Sequence, residues 1–161
     1  MRKVVVACLS LLLAYACSSI DCPVQNTVYT VYKLTPDGEQ VDTLRDTMYV
    51  FSHRYDGTDT LIFNAGIGLT TFSLPISYSH PEDSLFFLFV NRPDFIELDT
   101  VLIKKQDIPH FESVDCSASF FHRLTAVRST HNVIDTIAIN KDFVDYDAET
   151  PHIHISFKNR R

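Results

Sequence analysis

The chain has 161 residues, of which 45% are hydrophobic and 21% are charged, a balance typical of one globular domain. With 14 basic and 20 acidic residues its formal net charge is −6, so it lacks the basic surface that nucleic-acid binding requires. Only 4 glycines occur, which excludes glycine-rich repeats and fibrous classes. The 12 Phe and 7 Tyr residues supply enough apolar area for a core without a structural metal.

The segment 1–16 is typical of a cleavable signal segment. Arg2 and Lys3 form a positive head, and residues 4–16 are almost entirely apolar and end in the small-x-small site Ala14-Tyr15-Ala16. Cleavage would remove these two basic residues and no acids, leaving 12 basic and 20 acidic residues and a net charge of −8. We therefore expect export to a cell envelope.

Cys17 follows the cleavage site directly. The stretch 13–17, Leu-Ala-Tyr-Ala-Cys, resembles a lipobox, in which the cysteine is acylated on its thiol and its new amino group. Its departures from the usual lipobox, Ala14 and Tyr15, leave ordinary secretion as a soluble periplasmic protein as the alternative. We predict a lipid anchor at Cys17, with residues 17–21 as the tether of an outer-membrane lipoprotein, because a cysteine directly at the cleavage site is otherwise an odd choice for an exported protein. Several acyl chains would anchor the protein stably.

Two cysteines remain once Cys8 leaves with the signal segment and Cys17 is acylated. In an oxidising compartment Cys22 and Cys116 are expected to form a disulfide, and a reactive thiol is the alternative. Such a bond would leave about five residues between the lipid and the domain, which reach roughly 17 Å when fully extended. The domain would then lie close to its membrane.

Hydrophobicity of period two runs through almost all of the mature chain. Eight or nine strands are predicted, from segments 27–34, 48–51, 60–63, 70–76, 84–90, 100–104, 120–128, 133–140 and 152–157. Segment 84–90 is apolar on both faces and predicts a central strand, whereas 120–128 and 133–140 are expected to form a hairpin. We predict one all-β domain over 22–161, an antiparallel immunoglobulin-like β-sandwich, with a small β-barrel as the alternative.

The last predicted strand carries two histidines. Ile153, Ile155 and Phe157 are expected to face the core, with His152, His154 and Ser156 facing solvent. Two imidazoles on one face could take part in a Zn²⁺ or Cu²⁺ site, but they need further ligands. We interpret them as polar residues of an amphipathic strand.

Two other groups could carry chemistry, although the sequence has none of the common catalytic or nucleotide-binding motifs. His122 lies in an apolar stretch and is either a general base or a histidine hydrogen-bonded at the edge of the core. A pocket that holds His122 with a carboxylate would favour a hydrolase. Asp142, Asp145 and Asp147 could bind Ca²⁺, but their spacing matches no EF-hand, so we expect a solvated acidic connection and no cofactor.

A tripeptide of Asp, Ser or Thr, and an aliphatic residue occurs six times where a turn is expected to feed a strand. Asp suits the turn and a β-branched Thr suits the strand, which explains most of the pattern. The tripeptide also resembles the O-glycosylation acceptor of Bacteroides-type exported proteins. The candidate glycan sites are Thr43, Thr47, Thr60, Ser84, Thr100 and Thr136.

Four blocks of sequence resemble a family of uncharacterised Bacteroidales lipoproteins. They are 22–29 (Cys-Pro-Val-Gln-Asn-Thr-Val-Tyr), 72–78 (Phe-Ser-Leu-Pro-Ile-Ser-Tyr), 108–116 (Ile-Pro-His-Phe-Glu-Ser-Val-Asp-Cys) and 121–123 (Phe-His-Arg). The resemblance implies an envelope location and supplies no catalytic residues.

From these observations we expect a non-catalytic envelope protein that binds a protein or glycan partner, or has a structural role, close to its membrane. A calcium-binding β module and a hydrolase using His122 are the alternatives.

Overall fold

The computed structural model describes residues 22, 27–35, 43–53, 57–92 and 95–158. This part of the chain contains strands and no helix, and therefore no helix that could cross a membrane. The strands are β1 (Tyr29–Leu34), β2 (Thr47–His53), β3 (Asp59–Gly66), β4 (Thr71–Pro75), β5 (Glu82–Arg92), β6 (Phe95–His110), β7 (Ser119–Ser129), β8 (Ile134–Ile139), β9 (Phe143–Val144) and β10 (Ile153–Phe157). The predicted signal segment, Cys17 and the tether lie outside the described residues.

The strands form two sheets packed as a sandwich, which confirms the predicted fold class. The smaller sheet has the order β4-β1-β10-β8, and the larger sheet has the order β3-β2-β5-β6-β7-β9. Every pairing is antiparallel except that of β1 with β10, which is parallel. The core lies between the sheets and is mainly aliphatic and aromatic.

Strand β5 lies in the interior of the larger sheet, between β2 and β6, as its apolar sequence predicts. Leu85, Phe87 and Phe89 are buried in the core, whereas Phe86 and Leu88 lie on the other face and are half-buried. An amphipathic strand would carry polar residues on that second face. The apolar character of both faces therefore marks the middle of a broad sheet.

The predicted hairpin of residues 120–128 and 133–140 is wrong in its pairing, although both strands exist. β7 belongs to the larger sheet and β8 to the smaller one, so the connection between them crosses the sandwich. The Asp99 carboxylate accepts hydrogen bonds from the main-chain N–H groups of Asn132 (2.7 Å), Val133 (2.7 Å) and Ile134 (2.8 Å). This buried acid directs the chain away from β7 and into the second sheet.

The predicted exposure of residues 152 to 156 is also partly wrong. Ile153 and Ile155 are buried as expected, but His152 and Ser156 are buried as well and only His154 is half-buried. The ring nitrogen His152 Nδ1 accepts a hydrogen bond from the main-chain N–H of Val31 at 3.0 Å. The main-chain N–H of His152 in turn donates to the Val31 carbonyl at 2.8 Å. His152 therefore connects the two central strands of the smaller sheet and is not free to bind a metal at the surface.

A disulfide joins Cys22 to Cys116, with the two Cα atoms 5.5 Å apart, as the cysteine count predicts. Cys116 lies in the connection between β6 and β7, residues 111–118, at one end of the sandwich. The disulfide therefore holds Cys22 at this end.

Candidate functional site

A pocket of about 240 Å³ lies at the end of the sandwich that carries the disulfide. Its walls are residues 27–28, which precede β1, residues 76–79, which follow β4, and Phe120 and His122 from β7. The pocket thus lies between the two sheets, where the ends of strands from both sheets meet. Its lining combines apolar surface with a few polar groups, the composition of small-ligand sites.

A stacked aromatic pair, from the connection after β4 and from β7, flanks the pocket. The rings of Tyr78 and Phe120 stack with centroids 5.1 Å apart and planes inclined by 9°. Tyr78 follows β4 and is 67% exposed, whereas Phe120 is the second residue of β7 and is half-buried. A large exposed ring fixed by stacking offers a flat apolar surface to a ligand.

The segment 76–81 is fixed to the larger sheet by two charged side chains. The Ser77 N–H donates to Asp83 Oδ2 at 3.1 Å, and Lys105 Nζ donates to the His80 carbonyl at 2.5 Å. The main-chain N–H of Lys105 donates to the Pro81 carbonyl at 2.9 Å. The shape of the pocket therefore depends on polar groups of β5 and β6.

Lys105, Asp107 and His122 form a network in which Asp107 Oδ1 accepts from both neighbours. Lys105 Nζ lies 3.0 Å and His122 Nδ1 lies 2.7 Å from this oxygen. The Lys105 side chain is fully buried, and Asp83 Oδ1 lies 4.0 Å from its ammonium group. A buried cation and two acids are costly to desolvate and contribute little net stability, so such a network is a candidate for function.

His122 is neutral in this network near pH 7. Burial lowers the pKa of its ring, the Asp107 carboxylate acts in the opposite direction, Lys105 lowers the pKa further, and the result lies below the ordinary value of 6.5. Because His122 Nδ1 is hydrogen-bonded to the Asp107 carboxylate, which can only accept, we assign the imidazole proton to Nδ1. Nε2 then carries the lone pair, and it can accept a hydrogen bond or a proton.

Two hydroxyls line the same pocket, those of Ser77 and Ser79, and their Oγ atoms lie 3.3 Å apart. Within the described part of the chain no hydrogen bond joins either hydroxyl to His122. A histidine oriented by a carboxylate is therefore in place, but no nucleophile is hydrogen-bonded to it.

The sequence identified His122 but missed its partners Lys105 and Asp107. Their signal was present, because Val101, Ile103, Lys105 and Asp107 alternate along one strand and the first two are apolar. If the alternation is extended past Ile103, Lys105 and Asp107 are predicted to lie on the same inward-facing side of the strand.

The acidic residues 142–147 do not form a metal cluster. Asp142 Oδ2 pairs with Arg123 Nη1 at 2.7 Å, and Lys141 Nζ lies 2.9 Å from Asp147 Oδ2 and 3.6 Å from Asp145 Oδ1. The hydrogen bond from Lys141 is the largest cause of the low pKa of Asp147. Among the described residues no group of three or more His, Cys, Asp or Glu is placed to hold a metal.

The six tripeptides differ in position. Thr47 and Thr60 lie at or next to the first residues of β2 and β3, and Ser84 and Thr136 are the third residues of β5 and β8. Thr100 instead lies inside β6 as its sixth residue. The Asp residues before Thr47, Ser84 and Thr100, namely Asp46, Asp83 and Asp99, are buried. Burial of the Asp residue therefore explains part of the tripeptide pattern. Glycosylation of the hydroxyls stays a prediction.

The fold and the pocket define a β-sandwich with a polar network at one end of its core. The chain belongs to a family of unknown function, DUF6452, whose model matches residues 47–157. It is also similar to the nitrilase and fragile histidine triad fusion protein NitFhit of Caenorhabditis elegans, with 29% identity over 140 residues. That match covers 78% of this chain and 31% of the relative, so the chain spans about a third of the relative's length. No solved structure matches the chain.

Proposed function

We propose that this chain is a lipid-anchored envelope protein that binds a neutral, hydroxyl-bearing ligand, such as a sugar of a glycan, in the pocket at His122. The main support is the pocket itself, which combines the stacked Tyr78–Phe120 pair with His122 and the hydroxyls of Ser77 and Ser79. Aromatic faces pack against the C–H surface of a ligand, and hydroxyls and imidazole exchange hydrogen bonds with its polar groups.

The charge around the pocket supports a neutral ligand over an anionic one. Asp83 and Asp107 carry two negative charges, Lys105 carries one positive charge, and His122 is neutral near pH 7. The excess of one negative charge disfavours phosphate or carboxylate groups. The mature chain as a whole is acidic as well, which disfavours nucleic acid.

A titration with neutral oligosaccharides from bacterial envelopes, followed by calorimetry or NMR, tests the ligand class. Tyr78→Ala should weaken binding by about tenfold, the loss expected for a stacked aromatic contact of roughly 1.4 kcal/mol. Tyr146→Ala is the matched control, because Tyr146 is also an exposed tyrosine but does not line this pocket. Equal affinities for the two variants, or no binding by the unmodified chain, would contradict the proposal.

The anchor is tested separately by mass spectrometry of the protein from its native host. The proposal expects a chain that begins at Cys17 with its acyl groups, and expects Cys17→Ala to move the protein from the membrane fraction to the soluble fraction. A membrane-free chain that retains Met1 would contradict it. The same mass spectrum would reveal glycans on Thr43 or the other candidate hydroxyls.

One observation favours a hydrolase as the second candidate. The Asp107–His122 hydrogen bond of 2.7 Å lies beside a pocket with two serine hydroxyls, the setting in which a neutral imidazole activates a nucleophile. A fluorophosphonate probe would label Ser77 or Ser79 in such an enzyme, and His122→Gln would abolish the labelling. Absence of labelling in the unmodified chain would leave the binding protein as the proposal.

A further inference from the structure

The connection between β6 and β7, residues 111–118, carries the most exposed large apolar side chain of the described domain. Val114 is 98% exposed and Phe111 is 64% exposed, although both are large apolar residues. Glu112 and Ser113 separate them in the connection, and Cys116 follows two residues after Val114. Exposed apolar side chains that lie close together mark a surface that a protein partner or a membrane can cover.

The disulfide places this connection next to the proposed lipid anchor. Cys116 is bonded to Cys22, and the two Cα atoms are 5.5 Å apart. The five residues 17–21 reach roughly 17 Å at full extension, so acyl chains on Cys17 would keep the connection near the bilayer surface. The rest of the domain extends away from this point along β6 and β7.

We infer that the connection 111–118 docks on a neutral lipid surface, with Phe111 and Val114 entering its interfacial region. The inference rests on the lipid anchor of the proposed function. The charge of the connection selects the kind of lipid, because Glu112 and Asp115 are exposed and residues 111–118 contain no Lys or Arg. Two acids would be repelled by anionic headgroups but tolerated by zwitterionic ones.

The chain has no Trp, so one introduced Trp reports its own surroundings. Phe111→Trp and the control Ile96→Trp would be introduced into the lipidated protein and reconstituted into phosphatidylcholine vesicles that contain brominated lipid. Ile96 is a matched site, because it is 62% exposed but lies near the opposite end of β6. We expect a blue shift and strong quenching for Phe111→Trp and neither for Ile96→Trp.

Further variants sharpen this test. Adding Val114→Asp to Phe111→Trp should reduce the quenching, and so should replacing half of the phosphatidylcholine with anionic phosphatidylglycerol at low salt.

Vesicle flotation separates the docking from the lipid anchor. A protein that floats with the vesicles but shows no quenching at residue 111 keeps its anchor and overturns the docking. A protein that does not float overturns the anchor and the docking together. A blue shift that grows with protein concentration without vesicles would assign the surface to a second copy of the chain.

Discussion

The two ends of β6 hold acids in contrasting settings. Near its start, Asp99 is fully buried and accepts hydrogen bonds from three main-chain N–H groups and from the Thr130 hydroxyl at 2.6 Å. Near its end, Asp107 is partly exposed and shares one oxygen between Lys105 and His122 beside a pocket.

The first setting gives one carboxylate four hydrogen-bond donors. The second places a buried cation and a neutral imidazole on one carboxylate oxygen, and the imidazole lines a pocket. The comparison indicates that a buried charge stabilises the folded structure when its partners are main-chain groups. A buried charge is a candidate for function when its partners are other titratable side chains beside a cavity.

The disulfide at the pocket end should have the largest effect on stability. Replacing both Cys22 and Cys116 by Ser should lower the free energy of unfolding by about 4 kcal/mol, because the bond closes a long loop in the unfolded chain. Urea unfolding measures the difference, with the Cys8→Ser variant as the control if the signal segment is retained. A loss below about 1 kcal/mol would show that the pocket end is held by its polar network alone.

Asp99→Asn should be the most destabilising single substitution at the opposite end. An amide supplies one acceptor atom and points N–H groups at main-chain donors, so we expect a loss of about 3 kcal/mol. Asp135→Asn, in another tripeptide but at an exposed position, is the matched control and should be neutral. If the two variants unfold at the same urea concentration, Asp99 does not direct the crossing between the sheets.

Lys105→Met tests the pocket network and should cost less than Asp99→Asn. The substitution leaves Asp107 and Asp83 without their cation, but Asp107 is partly exposed and water can replace the lost donor. We expect a loss of about 2 kcal/mol together with weaker ligand binding. Lys104→Met, at the exposed neighbouring position, is the control. Unchanged stability and binding would remove the network from the site.

The smallest effects concern pH. Burial is the largest cause that lowers the pKa values of His122 and His152 below 6.5, so both residues fold in the neutral form. The unfolded chain then binds more protons as the pH falls, and stability should decrease from about pH 6.5 downward. His152→Gln should flatten this decrease, measured by urea unfolding at a series of pH values. A decrease that is as steep in this variant as in the unmodified protein would contradict the assignment.

A second decrease is expected at lower pH. Burial tends to raise the pKa of Asp99, but its hydrogen bonds outweigh burial and the pKa falls below 3.8. The stability from Asp99 is therefore present above about pH 4 and is lost as the pH falls further. The acid unfolding curve of Asp99→Asn should lack this component.

The sequence was sufficient for the fold class but not for the pairing of strands. Alternation identified β7 and β8, yet nothing local revealed that Asp99 would capture the residues between them. The exposure of His152 was wrong because its partner Val31 lies 121 residues away in the chain. His122 could be selected from its apolar neighbours, but its partner Asp107 becomes visible only when β6 and β7 are set in register.

The parallel pairing of β1 with β10 has a consequence for how the domain assembles. β10 lies between β1 and β8, so without residues 153–157 the smaller sheet is divided into β4 with β1 on one side and β8 alone on the other. Early and late parts of the polypeptide must therefore meet before half of the sandwich can close, and such distant contacts form slowly. We expect that an emerging chain cannot complete this sheet until β10 has been synthesised, and until then β1 exposes an unpaired edge that favours aggregation.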